Sequence, residues 1–174
     1  AARCDGSGRK AWRCFGLACL MFMVGNLTWA GYAWAGVVLP FPSAVDAFFF
    51  ASSILVLMGM FHYSLSDSPG SRIQVTNFAL ALCSAVAVGF IIYAPLLSSS
   101  ETGRLGTFVV FSFAALGLSA WTFGLLCFAF YVRNDRRFPF LLILIATGAN
   151  AVANFFLGFD TLNGTYAVGA FYDV

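Results

Sequence analysis

Long stretches without charged residues alternate with short polar segments along this chain. Five stretches exceed the roughly 20 residues that an α-helix needs to cross the hydrocarbon core of a bilayer. Backbone polar groups in lipid must be satisfied within the segment, so apolar runs of this length favour helices. We therefore predict an all-α, polytopic membrane helix bundle with five complete transmembrane helices and the start of a sixth. The predicted helices cover residues 14–36, 44–65, 73–97, 106–132 and 138–159, and the sixth begins at 166 and runs to 174.

The composition agrees with a membrane protein. Hydrophobic residues make up 61% of the 174 residues and charged residues 9%, against about 45–50% and about 25% in soluble domains. So few charged side chains cannot solvate the surface of a soluble fold of this size. The chain also lacks the basic patch that nucleic-acid binding requires, so the lipid bilayer is the first partner that we predict and no nucleic acid is expected.

Lysine and arginine are concentrated on one side of the predicted topology. Of the nine basic residues, only Arg104 lies in a connection that belongs to the opposite side. Cytoplasmic loops carry the excess of Lys and Arg in membrane proteins, so we predict that residues 1–13 form a cytoplasmic N-terminal tail. The residues on the predicted cytoplasmic side are Arg3, Arg9, Lys10, Arg13, Arg72, Arg133, Arg136 and Arg137.

Groups that carry catalytic or cofactor chemistry are scarce. His62 is the only histidine, and the five cysteines form no CxxC pair and no Cys/His cluster. A haem or a metal centre would need more ligands than this, so no metal and no cofactor is predicted. The HExxH, GxSxG and glycine-rich phosphate-binding motifs do not occur either. We expect no enzymatic activity from these residues.

One carboxylate, Asp46, stands alone in the stretch "VVLPFPSAVDAFFF" at residues 37–50. Two prolines break the preceding helix, Ser43 is a good N-cap, and Asp46 follows it by three residues, as in a capping box. An acid near a membrane segment also marks function in many proteins. Helix one carries polar and aromatic residues at a similar predicted depth, so a cap and an outward-facing binding pocket both remain open. The candidate ligand-binding residues here are Asn26, Trp29, Tyr32, Ser43 and Asp46.

The chain contains a faint internal repeat. Residues 25–50 and 153–174 both place a small residue and an asparagine in the outer half of a helix, followed by aromatics, a turn and an acid. Asn26 precedes Asp46 by 20 residues, and Asn154 precedes Asp173 by 19. The offset equals four helices, so the pattern predicts a 4+4 repeat that stops within helix six. Asn154, Tyr166 and Asp173 are therefore candidate site residues as well.

Two segments carry a family resemblance. "PFPSAVDAFF" at residues 40–49 and "GTYAVGAFYD" at 164–173 resemble loops in the multi-helix N-terminal sensor regions of bacterial signalling proteins. Such regions precede histidine-kinase or GGDEF/EAL cyclic-di-GMP domains. Asn26 and Asn154 depart from the pattern, because aspartate is common at those positions, and a role that needs a carboxylate there is in doubt.

The resemblance implies a sensory or regulatory input module in a bacterial inner membrane. Such a module passes changes in helix packing to a cytoplasmic output domain and usually works as a homodimer. The ligand or membrane signal is not implied. Two other classes stay open on the residues alone: a small transporter or permease built from repeats, and a non-catalytic partner in a larger assembly.

Overall fold

A computed structural model describes residues 4–37, 41–67, 71–97, 103–130, 132 and 137–165. The described part is all-α and contains five helices, which confirms the predicted fold class. The sixth predicted segment, 166–174, lies outside the described residues. The helices are α1 (Cys4–Trp34), α2 (Ala44–Asp67), α3 (Ser71–Leu97), α4 (Arg104–Phe130) and α5 (Arg137–Asn163).

The first helix begins earlier than the hydrophobic pattern predicts. The four later helices start and end within a few residues of their predicted bounds, but α1 starts at Cys4 rather than at residue 14. The prediction places the start of the helix where the charged residues end. Charged residues show where the chain leaves the hydrocarbon, but they do not end a helix, because Lys and Arg are good helix formers. Most of the predicted tail is therefore a rigid continuation of α1.

The α1 and α2 helices pack as an antiparallel pair, and phenylalanine rings of one helix lie directly against glycines of the other. A Cβ built on Gly59 would lie 2.6 Å from the ring of Phe15, and one on Gly25 would lie 2.8 Å from the ring of Phe49. Between these contacts the Ser52 hydroxyl donates a 2.9 Å hydrogen bond to a carbonyl of α1. Among the described helices, the backbone of α1 comes close to that of α2 alone. The first helix therefore lies at the edge of the bundle.

The fourth helix is the centre of the bundle, with α2, α3 and α5 around it. Its ring at Phe123 is fully buried and stacks edge-on against Phe78 of α3, with centroids 5.2 Å apart. On the α5 side, Gly148 receives the indole of Trp121, whose Nε1 would lie 2.6 Å from an added Cβ. Bulky residues on one helix thus fill notches that glycines leave on the next, as close helix packing in membranes requires.

Apolar side chains cover the outside of the bundle as well as its core. Trp34, Ile91, Phe130 and Phe138 expose between 70% and 95% of their surface. All five helices are long and apolar enough to cross a membrane. Soluble monomers rarely expose contiguous apolar surface on this scale, so the hydrocarbon of a bilayer is the solvent that fits this surface.

Candidate functional site

The carboxylate of Asp46 caps the N-terminus of α2. Its Oδ2 accepts hydrogen bonds from the Ser43 backbone N–H at 2.6 Å and from the Ser43 hydroxyl at 3.1 Å. In return, the Ser43 Oγ accepts a 3.2 Å bond from the backbone N–H of Val45. Two N–H groups at the helix start are satisfied reciprocally, which is the arrangement of a capping box. The predicted structural role of Asp46 is confirmed.

On α1, the polar candidate Asn26 lies at the border of the contact with α2. Asn26 is exposed, and its amide donates a 2.8 Å hydrogen bond to the Phe22 carbonyl of its own helix. Gly25, one residue earlier, is the position that faces Phe49 of α2. Phe22, four residues before Asn26 on the same face, packs its ring against Phe49 of α2 with centroids 5.5 Å apart, so Asn26 lies at the exposed border of the α1–α2 contact.

Trp29 and Tyr32 are better placed to face α2. They follow Gly25 by four and seven residues, so they continue the stripe that packs on α2. Trp29 is half-buried and Tyr32 is 42% exposed. The stripe therefore becomes more exposed toward the outer end of α1. Trp29, Tyr32 and the Ser43–Asp46 cap are together the outer junction of α1 and α2, and we use that name below.

The repeat-equivalent residue Asn154 lies on a different surface. Its Nδ2 would be 3.7 Å from a Cβ built on Gly117, so it faces α4. The α5 helix packs on α4 and α3, and its backbone does not approach α1 among the described helices. Asn154 and Asn26 therefore belong to separate places rather than to one pocket. Tyr166 and Asp173 lie outside the described residues.

The C-terminal ends of α1 and α5 have the same local structure, which did not contribute to the predicted repeat. Both helices end in the same turn, in which a glycine with a left-handed backbone follows the helix: Gly36 has φ 66° and Gly164 has φ 69°. After α1, Val37 N–H donates to the Tyr32 carbonyl and Gly36 N–H to the Ala33 carbonyl, at 3.1 Å each. This is a Schellman motif.

The same pair of hydrogen bonds closes α5. Thr165 N–H donates to the Asp160 carbonyl at 2.9 Å, and Gly164 N–H donates to the Thr161 carbonyl at 3.4 Å. In each helix the glycine stands ten residues after the asparagine of the repeat, Asn26 or Asn154. That spacing is readable in the sequence and adds to the case for the 4+4 repeat, which stays a prediction.

The remaining reactive side chains lie apart from one another. His62 is half-buried beside the Phe61 ring, with centroids 6.2 Å apart. Cys127 is fully buried in the core, whereas Cys19 and Cys83 are exposed on other helices. Among the described residues, no group of three or more His, Cys, Asp or Glu side chains is placed to hold a metal ion.

The fold defines a multi-pass α-helical membrane protein with a capped helix start in an edge helix pair. Comparison of this chain with protein-family models, with curated proteins and with solved structures finds no match.

Proposed function

We propose that these helices are the membrane-embedded sensory or regulatory input module of a bacterial signal-transduction protein. In this proposal the outer junction of α1 and α2 receives a small ligand or a membrane signal, and a cytoplasmic output domain reads the resulting change in helix packing. The proposal rests on the resemblance of the 40–49 and 164–173 segments. The observation that carries it is the edge position of α1, which lies against α2 alone among the described helices.

In this proposal α1 moves against α2 and carries with it Ala11 and Phe15, its contributions to the buried core. The core around α4 includes Phe123, Met60 and Phe140, all buried, and the α1–α2 contact adds to one side of it. Phe15 and Phe49 each occupy a glycine notch, so α1 cannot slide smoothly along α2. Interfaces of this kind favour discrete arrangements, and helix shifts of about 1–2 Å are a common switching movement. A signal biases such a pair only by binding one arrangement more tightly than the other.

The charge distribution supports a cytoplasmic N-terminus in the bacterial inner membrane. Arg72 and Arg137 lie at the starts of α3 and α5, at the same end of the up-and-down bundle as Arg9. Asp46 and Asp160 lie toward the opposite end, whereas Asp5 and Asp67 belong to the same end as these basic residues. An excess of basic residues marks the cytoplasmic side. Homodimerisation is part of the proposal on the strength of the resemblance.

The test locks α1 to α2 with an engineered disulfide in the full-length protein. A Cβ on Gly8 would lie 3.9 Å from the Ser66 Cβ, within the roughly 3.5–4.5 Å that a disulfide spans. Gly8→Cys with Ser66→Cys, in a background without the native cysteines, should abolish the output when oxidised and restore it when reduced. The matched controls are Gly8→Cys alone and Ser66→Cys alone in the same background, which cannot form the lock and should keep the output under oxidising conditions.

The output to be measured depends on the rest of the gene. A kinase or cyclic-di-GMP domain encoded downstream supplies an activity to assay and supports the proposal. A coding sequence that ends after the last helix, or an oxidised α1–α2 lock that leaves full output, would overturn it. In the first of these cases, uptake assays for a small transporter are the next experiment.

A further inference from the structure

The N-terminal end of α1 reaches beyond the thickness of a bilayer core. The helix has 31 residues, which is about 46 Å at 1.5 Å per residue, against a hydrocarbon thickness of about 30 Å. At its other end Trp34 is 95% exposed, and tryptophan favours the membrane–water interface. With Trp34 at one interface, roughly the first ten residues of α1 stand at the level of the opposite headgroups.

This projecting segment is held in place on one face and basic on the other. Ala11 is fully buried, and a Cβ on Gly8 would contact Ser66 of α2. The side chains of Arg9, Lys10 and Arg13 are exposed. Arg9 and Arg13 are four residues apart, so they are neighbours on one helix face. Three positive charges are thus displayed on the exposed face of a helix that packs against α2.

A tryptophan lies among these charges. Trp12 is 48% exposed, and its ring packs edge-on against Phe15, with centroids 5.8 Å apart. Its indole therefore has one side fixed by the protein and one side free for lipid. Asp46 and Asp160 lie toward the other end of the bundle. Asp5 stands four residues before Arg9 on α1, and Asp67 is the last residue of α2, so the three basic side chains outnumber the two acidic residues at this end of the helix pair.

We propose that Arg9, Lys10, Trp12 and Arg13 form a binding surface for the headgroups of anionic phospholipids. The basic side chains contact the phosphates, and the indole lies at the boundary between headgroups and acyl chains. Each Lys or Arg near an anionic membrane surface strengthens binding roughly fivefold. The proposal does not depend on the signalling role or on the orientation in the cell.

The test is tryptophan quenching by brominated lipids in vesicles. The three other tryptophans are replaced by phenylalanine, so that Trp12 reports alone, and the protein is reconstituted with phosphatidylglycerol and phosphatidylcholine in varied ratios. Bromine on either lipid then gives the relative affinity at Trp12. The matched control reports from Trp34 alone, at the other end of the same helix.

We expect Trp12 to prefer phosphatidylglycerol by at least about fivefold, and Trp34 to show no preference. Arg9→Gln, Lys10→Gln and Arg13→Gln combined should remove the preference, whereas Arg9→Lys with Arg13→Lys should keep it. Salt at 1 M should weaken it in the protein that retains all three charges, a result that needs no folded triple variant. Three outcomes would overturn the proposal. In the first, both lipids quench Trp12 equally; in the second, Trp34 shows the same preference as Trp12; in the third, 10 mM inorganic phosphate at constant ionic strength abolishes the preference.

Discussion

Replacing Gly59 with alanine should loosen the α1–α2 pair by overfilling the notch that holds Phe15. The added Cβ would lie 2.6 Å from Cε1, 2.7 Å from Cδ1 and 3.1 Å from Cζ of the ring. Carbon atoms pack favourably at about 3.5–4.0 Å, so the ring must retreat by about 1 Å. Phe15 is only 7% exposed, and it cannot retreat without displacing its neighbours.

The size of the effect follows from two opposing terms. Overpacking in a filled interior costs about 1–3 kcal/mol, and alanine gains up to about 1 kcal/mol over glycine as a helix former. We therefore expect Gly59→Ala to lower the free energy of unfolding by about 1 kcal/mol. The matched control is Gly16→Ala on α1, where no atom lies within 4 Å of the added Cβ; this change should be neutral or slightly stabilising.

Unfolding by SDS titration from neutral-detergent micelles, followed by far-ultraviolet circular dichroism, measures both variants. A second change, Phe15→Leu, makes room for the methyl group that Gly59→Ala adds. Phe15→Leu should therefore lower the free energy of unfolding by less in the Gly59→Ala variant than in the native protein. The coupling between contacting residues is typically about 0.5–3 kcal/mol. If Gly59→Ala is as stable as Gly16→Ala and shows no coupling to Phe15→Leu, the packing argument for the edge pair is refuted.

Three further outcomes test other parts of the structure. Asp46→Ala removes the carboxylate that accepts hydrogen bonds from Ser43, and it should lower the free energy of unfolding by about 0.5–2 kcal/mol in the same SDS titration. Asp46→Asn should be closer in stability to the native protein. If Asp46→Ala is as stable as the native protein, the capping role is contradicted. Tyr93→Phe removes the 3.0 Å hydrogen bond to the Phe155 carbonyl and should cost about 0.5–1.5 kcal/mol, and no loss would show that this bond does not hold α3 to α5. In neutral detergent, maleimide should label exposed Cys83 well before buried Cys127, and equal rates by mass spectrometry would contradict the central position of α4.

The local features of this protein are encoded in adjacent residues. The runs without charge are long enough that only helices satisfy their backbone in lipid, which is why the bounds of α2 to α5 follow from the sequence. The cap at Ser43 and Asp46 is equally local, because all its hydrogen bonds join residues within three positions of each other. The glycine ten residues after Asn26 and after Asn154 was equally available as a signal for the matching turns.

The partners of each helix were decided only by the tertiary structure. In a membrane the lipid is as apolar as the protein interior, so hydrophobic periodicity does not say which face of a helix is buried. Phe15 and Gly59 are 44 residues apart, and nothing local predicts that one fits the other. The same holds for the candidate site, where Asn26 and Asn154, equivalent in the predicted repeat, lie on an exposed face and against α4 respectively. Shape complementarity between distant residues sets these contacts, and a pattern along the chain does not contain it.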